Sequence, residues 1–315
     1  MPAPTNGFRI RVASSTSNLG PGFDCLGLAL PIELQLEVTP LPAGSPQPPI
    51  ELSGTLTERP IDGVERIGAA MGRLAAHLGA ALPAARVRAH SEIPVARGMG
   101  SSGSATVAGL LAAASLLRAD VPEAELFQLG CELEGHPDNI GPALLGGCVI
   151  AMPERAGKVH YYQARLHPDL RIVVAWPRTR VETKRARAVL PATVPFSVAR
   201  DQARRLAQLL RGLEDLDPAR LALALDDELH TPYRAPLIPG CAEVLRAARD
   251  AGALGAAISG SGSAMIALGR GDLERVGAAM AAAFARAGET PQYRICDIPR
   301  AGARVEPLND SAAPT

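Results

Sequence analysis

An α+β fold is what this 315-residue sequence predicts. Stretches of period-two alternation stand beside segments of helical spacing, the two do not follow each other in strict βα order, and no internal repeat is visible. The length fits one large domain or two of roughly 150 residues each. Hydrophobic residues make up 47% of the chain and aromatics 3%, so the core must be built of Ala, Leu, Val and Ile.

The elements follow in order. Phe8, Ile10 and Val12 alternate with Arg9 and Arg11, and Ile32, Leu34, Leu36 and Val38 alternate with Glu33, Gln35, Glu37 and Thr39. Both stretches read as half-buried strands. Between them, Ser14 to Asp24 reads as a polar, glycine-rich loop. Pro, Gly and Ser dominate 41–49, a surface loop. Helical spacing marks 61–80, 86–92 reads as a strand, and helices are predicted over 104–117 and 123–134. The second half opens near Arg165, after turn signals around Pro153 and Gly157. There the apolar run 172–176 suits a buried strand, and helices are predicted at about 197–213, 218–229 and 241–251. Strands at 254–259 and 264–268 are joined by Gly260-Ser261-Gly262-Ser263, and a helix at 272–287 and a strand at 293–298 follow. The last dozen residues are expected to fray.

With 32 basic and 32 acidic side chains, the chain carries no net charge. That argues against a nucleic-acid or polybasic membrane partner, since such contacts need a net basic face. Lys158 and Lys184 are the only lysines, and every other cation is an arginine. The five cysteines (Cys25, Cys131, Cys148, Cys241 and Cys296) are widely spaced and lack zinc spacing, so reduced thiols are expected. The chain does not open on a basic segment followed by an apolar one, and its longest apolar run, 105–117, is too short to cross a bilayer. A soluble, cytoplasmic protein without a membrane partner is the expectation.

The segment richest in chemistry is Pro94-Val95-Ala96-Arg97-Gly98-Met99-Gly100-Ser101-Ser102-Gly103-Ser104. It follows a predicted strand and opens a predicted helix, which gathers free backbone N–H groups at the positive end of a helix macrodipole. Glycines let a phosphate approach, and hydroxyls offer ligands to phosphate or Mg²⁺. A Walker A loop needs Gly-Lys-Ser/Thr, and this segment has no lysine. A flexible loop with a serine cap is the plainer reading of Gly and Ser alone. The ordered Pro-x-x-x-Gly-x-Gly-Ser-Ser at a strand-to-helix junction favours a phosphate cradle.

Here the sequence resembles the GHMP kinases, whose phosphate loop reads Pro-x-x-x-Gly-Leu-Gly-Ser-Ser-Ala. Met99 stands for the usual Leu and Gly103 for the usual Ala. Five further segments are similar to those of the homoserine kinase branch, in the same order from about residue 10 to 270. The first two are Asn18-Leu19-Gly20-Pro21-Gly22-Phe23-Asp24 and Glu134-Gly135-His136-Pro137-Asp138-Asn139 with Gly141-Pro142-Ala143 and Gly146-Gly147. The others are Thr183 with Arg187, Leu190 and Pro191, then Pro232-Tyr233-Arg234, and the match closes on Ile258-Ser259-Gly260-Ser261-Gly262.

The resemblance implies a two-domain GHMP kinase fold. An N-terminal half like domain 2 of ribosomal protein S5, over 1–160, carries the ATP loop, and a ferredoxin-like C-terminal half, over 161–315, completes the substrate site. It also implies ATP-dependent phosphorylation of the side-chain hydroxyl of L-homoserine in threonine biosynthesis, and a homodimer. By the same resemblance Glu134 is the carboxylate on Mg²⁺, with Ser102 or Ser101 as the hydroxyl ligand. Mg²⁺ keeps several waters, so one carboxylate and one hydroxyl suffice. Asn18, Asp24, His136, Asp138 and Asn139 are assigned to the homoserine pocket, where carboxylates suit an ammonium and amides or imidazole orient a hydroxyl. Arg187 and Arg234 are assigned to the substrate carboxylate, which a guanidinium binds bidentately. Gly260, Ser261 and Gly262 are expected to bring backbone N–H groups close to phosphate or substrate.

Each of these residues has a plainer reading alone. Glu134 could be a solvated helix-end carboxylate, His136 a structural histidine, either arginine a surface ion pair, and Gly260–Gly262 a hairpin turn. Asn139 stands where some GHMP kinases place an aspartate base, and an amide takes no proton at neutral pH. Catalysis by Asn139, Asp138, Ser102 and Glu134 would then rest on positioning and charge neutralisation, with a base role for Asp138 left open. Rival acceptors are mevalonate, a sugar or shikimate, which lack the ammonium that Asp24 and Asp138 would pair. A non-catalytic ligand sensor is the rival of another class, and it would have no need of Ser101, Ser102 and Glu134.

Overall fold

The computed structural model describes residues 7–155 and 157–308. The first half runs β1 (Phe8–Ser17), β2 (Leu26–Pro40), β3 (Glu51–Gly54), α1 (Pro60–His77), β4 (Ala85–Ser91), α2 (Ser101–Leu117), α3 (Glu123–Glu134), α4 (Ile140–Leu145), β5 (Cys148–Pro153) and β6 (Val159–Ala164). The second runs β7 (Arg171–Trp176), α5 (Thr183–Ala188), α6 (Phe196–Asp215), α7 (Pro218–Ala224), α8 (Thr231–Arg234), α9 (Cys241–Asp250), β8 (Gly255–Ile258), β9 (Met265–Gly269), α10 (Glu274–Arg286), β10 (Gln292–Asp297) and β11 (Arg304–Pro307).

The expected alternation in β1 and β2 is realised as a paired ladder, Ile10 opposite Leu36 and Val12 opposite Leu34, with all four side chains buried. These strands are central to a sheet ordered β11-β1-β2-β4-β3, in which β3 joins β4 in parallel. The start of β2 carries β5, which carries β6. Helix α2 is apolar nearly all round and packs against α1, α3 and β1, as a helix buried on most faces must. In the second half the order is β10-β7-β9-β8, every neighbour antiparallel. Numbered within the β-α-β-β-α-β unit this is the ferredoxin-like arrangement 4-1-3-2.

Several expectations are corrected. Ser14–Ser17 is not loop: the strand continues through it past a register shift at Ala13/Ser14. Ser14, Ser15, Thr16 and Ser17 are fully buried, and a buried hydroxyl run looks like a loop only while its partners are unknown. The turn at Pro153 and Gly157 joins two strands, β5 and β6, so the division expected at residue 160 falls inside β6. The helix expected over 218–229 stops at Ala224, where Asp227 turns the chain by accepting three backbone N–H groups. Arg304–Pro307 does not fray but pairs with β1, returning the end of the chain to the first sheet. The rest of the expected frayed tail, from Asn309 to Thr315, lies outside the described residues. No described helix is long and apolar enough to cross a membrane.

Candidate active site

A cleft of about 640 Å³ opens at the N-terminus of α2, lined from the first half by the 94–105 loop and from the second by Val181–Lys184, Arg187, Arg234, Gly260 and Ser261. The loop from Pro94 to Gly100 is fixed by backbone bonds to three segments. Met99 O accepts from Ser15 N, Arg97 O from Ala264 N, and Ala96 O from Val181 N. Gly98 and Gly100 have φ of +73° and +69°, and a Cβ on either would stand 2.0 Å from Ser259 O or Ser15 Oγ. Only glycine fits there. Gly100 caps α2 without a side-chain bond, so the first N–H groups of the helix, from Ser101 to Gly103, line the cleft with no side-chain acceptor among the described residues.

Glu134 ends α3 directly beside this N-terminus, its side chain 5% exposed. Both carboxylate oxygens lie 2.8 Å from Ser102 Oγ, and Oε1 also accepts from Thr106 Oγ1 and Arg66 Nη1 at 2.8 Å each. Ser102 and Thr106 are four apart on one face of α2, as such a pair must be. The expected metal pair, Ser102 and Glu134, is therefore brought together. Hard oxygen donors in that number fit Mg²⁺ arriving with phosphate waters and oxygens rather than a closed protein cage. Among the described residues no group of three His, Cys, Asp or Glu side chains gathers as a metal cluster.

Asn139 opens α4 across the cleft. Its Oδ1 accepts from Ser15 Oγ at 2.8 Å, and its Nδ2 donates to Ser17 Oγ and Asp138 Oδ1 at 3.2 Å each. The buried carboxylate of Asp138 fixes which end of the amide is NH₂, so Oδ1 keeps a free lone pair. His136 Nδ1 lies 2.6 Å from the same Asp138 Oδ1. Burial pushes the His136 imidazolium down, but the bond and charge of Asp138, helped by Glu134, outweigh it and raise the pKa above the ordinary histidine value.

At the far end, Asn18 and Asp24 both adopt left-handed backbone, and Asn18 Oδ1 accepts from Asp24 N at 2.8 Å. Asp24 grips Arg187 bidentately, at 2.8 and 2.7 Å, and this bond lifts the Arg187 pKa. The two residues expected to receive opposite ends of the substrate thus hold each other. Arg234 is 1% exposed, with Nη1 donating to Gly260 O at 2.9 Å and Nε to Ala186 O at 3.3 Å. No carboxylate lies within 4.0 Å of it among the described residues. Burial and the charge of Arg187 lower its pKa, against the pull of Asp24, Asp138 and Asp227.

The expected role of Gly260, Ser261 and Gly262 is narrowed. Gly260 N already donates to Ser17 O and Gly262 N to Ser259 O, both at 2.8 Å, so of the three the Ser261 N–H is left for a ligand. Gly260 serves instead through its carbonyl, on Arg234. Sequence reasoning missed Ser15 and Ser17 beside Asn139, Arg66 and Thr106 on Glu134, and Arg59 and Lys184 in the cleft wall. The spacing of Thr106 from Ser102 was the one local signal available. All five cysteines are free, and burial pushes each thiol up, Cys25 to about 11, so none is a ready nucleophile.

Comparison with known proteins points the same way. The GHMP kinases N-terminal domain matches residues 65–147 and the GHMP kinases C-terminal domain matches 204–286. A homoserine kinase of Moorella thermoacetica is 41% identical over 280 residues, 89% of this chain and 93% of that one. One from a Synechococcus strain is 38% identical over 307 residues, 95% and 97% of the two chains. The crystal structure of homoserine kinase from Cytophaga hutchinsonii superposes with a TM-score of 0.85 at 25% identity, covering 97% of this chain and 99% of that one.

Proposed function

The chain belongs to the homoserine kinases within the GHMP kinase family, and from that premise we propose how its cleft phosphorylates L-homoserine. The enzyme is an ATP-dependent kinase of an alcohol acceptor, converting L-homoserine to O-phospho-L-homoserine on the way to threonine. The observation that carries the assignment of the site is Arg234. A buried guanidinium without a carboxylate partner among the described residues, in the same cleft as an uncapped helix N-terminus, is built for a substrate that is an anion at one end and meets phosphate at the other.

ATP places its phosphates against the Pro94–Ser104 loop, where the N–H groups of Ser101, Ser102 and Gly103 and the dipole of α2 receive negative charge. Glu134 and Ser102 would hold Mg²⁺, which would supply neutralisation of the phosphate charge. The guanidinium of Arg66 occupies one of the Glu134 oxygens and would have to give it up for that ligand. At the other end Arg234, with Arg187, takes the α-carboxylate of homoserine, and Asp24 and the backbone around Asn18 take its ammonium. This presents the side-chain hydroxyl to the free lone pair of Asn139 Oδ1, whose direction Ser15, Ser17 and Asp138 fix.

The amide orients the hydroxyl and takes no proton. In a loose phosphoryl-transfer transition state the attacking oxygen keeps its proton until late and then passes it to an oxygen of the transferred phosphoryl group, from which it leaves to solvent, so orientation and charge neutralisation carry the rate. Asp138, buried and bonded to His136 and Asn139, acts as the anchor of that amide. The five free cysteines suit a reducing compartment, and a cytoplasmic homodimer is the state we infer, to be read by light scattering on the purified chain.

ADP release with L-homoserine, mevalonate, shikimate and a hexose, each with and without Mg²⁺, tests the function. Stimulation by homoserine alone, abolished without Mg²⁺, is expected; no response to L-homoserine sinks the reading.

A further inference from the structure

Phe23 lies beside Asp24 at the bend of the Asn18–Asp24 loop, and three side chains from the second half of the chain meet its ring. The His230 ring centroid is 5.2 Å away with 33° between the planes. Arg234 Cζ stands 5.0 Å and Arg187 Cζ 5.9 Å from the Phe23 centroid. These are the two guanidiniums that the functional reading sets at the amino-acid carboxylate, and a role for the ring in substrate binding rests on that reading.

Two like charges at one end of a cleft repel, and burial makes each harder to keep. A carboxylate partner would hold them but would also cancel the charge a substrate needs. Asp24 does this for Arg187; among the described residues no carboxylate does it for Arg234. The face of an aromatic ring attracts a guanidinium without neutralising it. The Phe23 ring faces both arginines and takes none of their in-plane N–H donors, so beyond the bonds of Arg187 to Asp24 and of Arg234 to Gly260 O and Ala186 O the remaining donors stay available to a substrate.

The ring is itself held in place. His230 is fully buried, and its Nε2 lies 2.9 Å from Gly20 O, in the loop that carries Phe23. Asp227 positions the turn before it, accepting the backbone N–H groups of Leu229, His230 and Thr231. His230 and Arg234 sit at the two ends of the single turn α8, so one rigid piece grips the loop backbone and delivers a cation to the ring.

We propose that Phe23 is a positioning residue for substrate specificity: its ring, pinned by His230, seats the guanidiniums of Arg187 and Arg234 where an α-amino acid carboxylate meets both. The platform acts on homoserine and not on ATP, whose phosphates bind at the other end of the cleft. It acts through the arginines and not by touching the reacting atoms.

The test replaces Phe23 by mono-, di- and trifluorophenylalanine, which keep the ring's shape and packing while draining its face of negative potential. KM for L-homoserine should rise stepwise with each fluorine, to roughly three- to thirtyfold overall, while kcat and KM for ATP stay within about twofold. Phe23→Tyr, which keeps the face, should remain near wild type, and Phe23→Leu should fall at the weak end of the series. His230→Gln, which keeps an N–H donor for Gly20, should bind homoserine better than His230→Leu. A flat fluorine series in an enzyme that turns over homoserine overturns the platform alone, as does a parallel rise in KM for ATP. A wild type without homoserine-dependent turnover overturns the functional reading and the platform with it.

Discussion

Replacing Gly103 by alanine, the residue usual in the resembling phosphate loops, sets two measurable effects against each other. Gly103 is the third residue of α2, and alanine should favour the helix by about 0.5–1 kcal/mol. The added Cβ, however, would stand 3.1 Å from Asn139 Cβ, 3.3 Å from its carbonyl carbon and 3.4 Å from its carbonyl oxygen. Carbon–carbon contacts are optimal at about 3.5–4.0 Å, so the new methyl is roughly half an ångström too close. Overpacking of this kind costs about 1–3 kcal/mol, which offsets or exceeds the helical gain. The neighbour that must move is Asn139, whose three side-chain bonds aim its amide. Since a misplacement of about 1 Å costs on the order of a hundredfold in rate, a shift of a few tenths should lower kcat about three- to tenfold. Melting curves and ADP release at saturating substrates read the two effects separately. A variant that melts higher and keeps full kcat would refute the claim that Gly103 sets the spacing of Asn139.

Other perturbations of the same site have distinct outcomes. Asn139→Ala strips Ser15 and Ser17 of their partner and should lose about a hundredfold in kcat. Asn139→Asp should also fall below wild type, because it sets a second carboxylate against Asp138. Turnover abolished in Asp138→Asn with homoserine binding intact would instead return the base mechanism. Arg66→Met removes a half-exposed partner of Glu134, at a stability cost within about 1 kcal/mol, and frees a carboxylate oxygen. Mg²⁺ without nucleotide should therefore raise the melting temperature of Arg66→Met more than that of the wild type, and equal shifts would count against the exchange. His136 has a raised pKa in the folded chain, so its pairing with Asp138 stabilises fully below the unfolded value of 6.5 and fades as pH rises through the folded value. The melting gap between wild type and His136→Gln should accordingly be widest below pH 6.5 and narrow as the pH rises above the raised folded pKa.

Local pattern made the strands β1, β2, β4 and β7 and the helices α1, α2, α3, α6, α9 and α10 legible, because each buries one face or all faces with its proper period. Where function interrupts the pattern, reading failed. Ser14–Ser17 looks like loop because its hydroxyls are polar, yet Ser15 and Ser17 meet Asn139 more than 120 residues later, and Thr16 accepts from Ser259. The β5–β6 hairpin was missed because β6 is an outer strand without a buried side chain, so no apolar alternation marks it. The site divides the same way. Glu134, Ser102 and Asn139 lie within ordered motifs, whereas Arg66 reads as one more helix-surface arginine until α1 is laid beside α3. The mutual grip of Asp24 and Arg187 spans 163 positions and leaves no trace in either neighbourhood.

The neutrality of the chain extends into the cleft itself, and there it becomes informative. Arg59, Arg66, Lys184, Arg187 and Arg234 line it together with Asp62, Glu65, Glu134, Asp138 and Glu182, so a count of charges predicts no pull on ATP. Pairing changes this balance. Asp62 and Glu182 are held by Arg59, Glu134 by Arg66, and Asp138 by His136, while Arg187 is held by Asp24 from outside the lining. Among the described residues Glu65 has no cation, and Lys184 and Arg234 no carboxylate, within 4.0 Å, so the unpaired lining charges are two cations against one anion. Arg234 is sealed at the amino-acid end, which leaves Lys184, exposed at the start of α5, as the free cation at the mouth. Its charge should act over a Debye length, and so on encounter more than on the bound complex. Lys184→Met should lower kcat/KM for ATP about threefold at low salt with kcat unchanged, and the deficit should vanish near 1 M salt, where the screening length is about 3 Å. A deficit that persists at high salt would mean that Lys184 touches the bound phosphates, and no deficit at either salt would mean that the α2 N-terminus supplies the field alone.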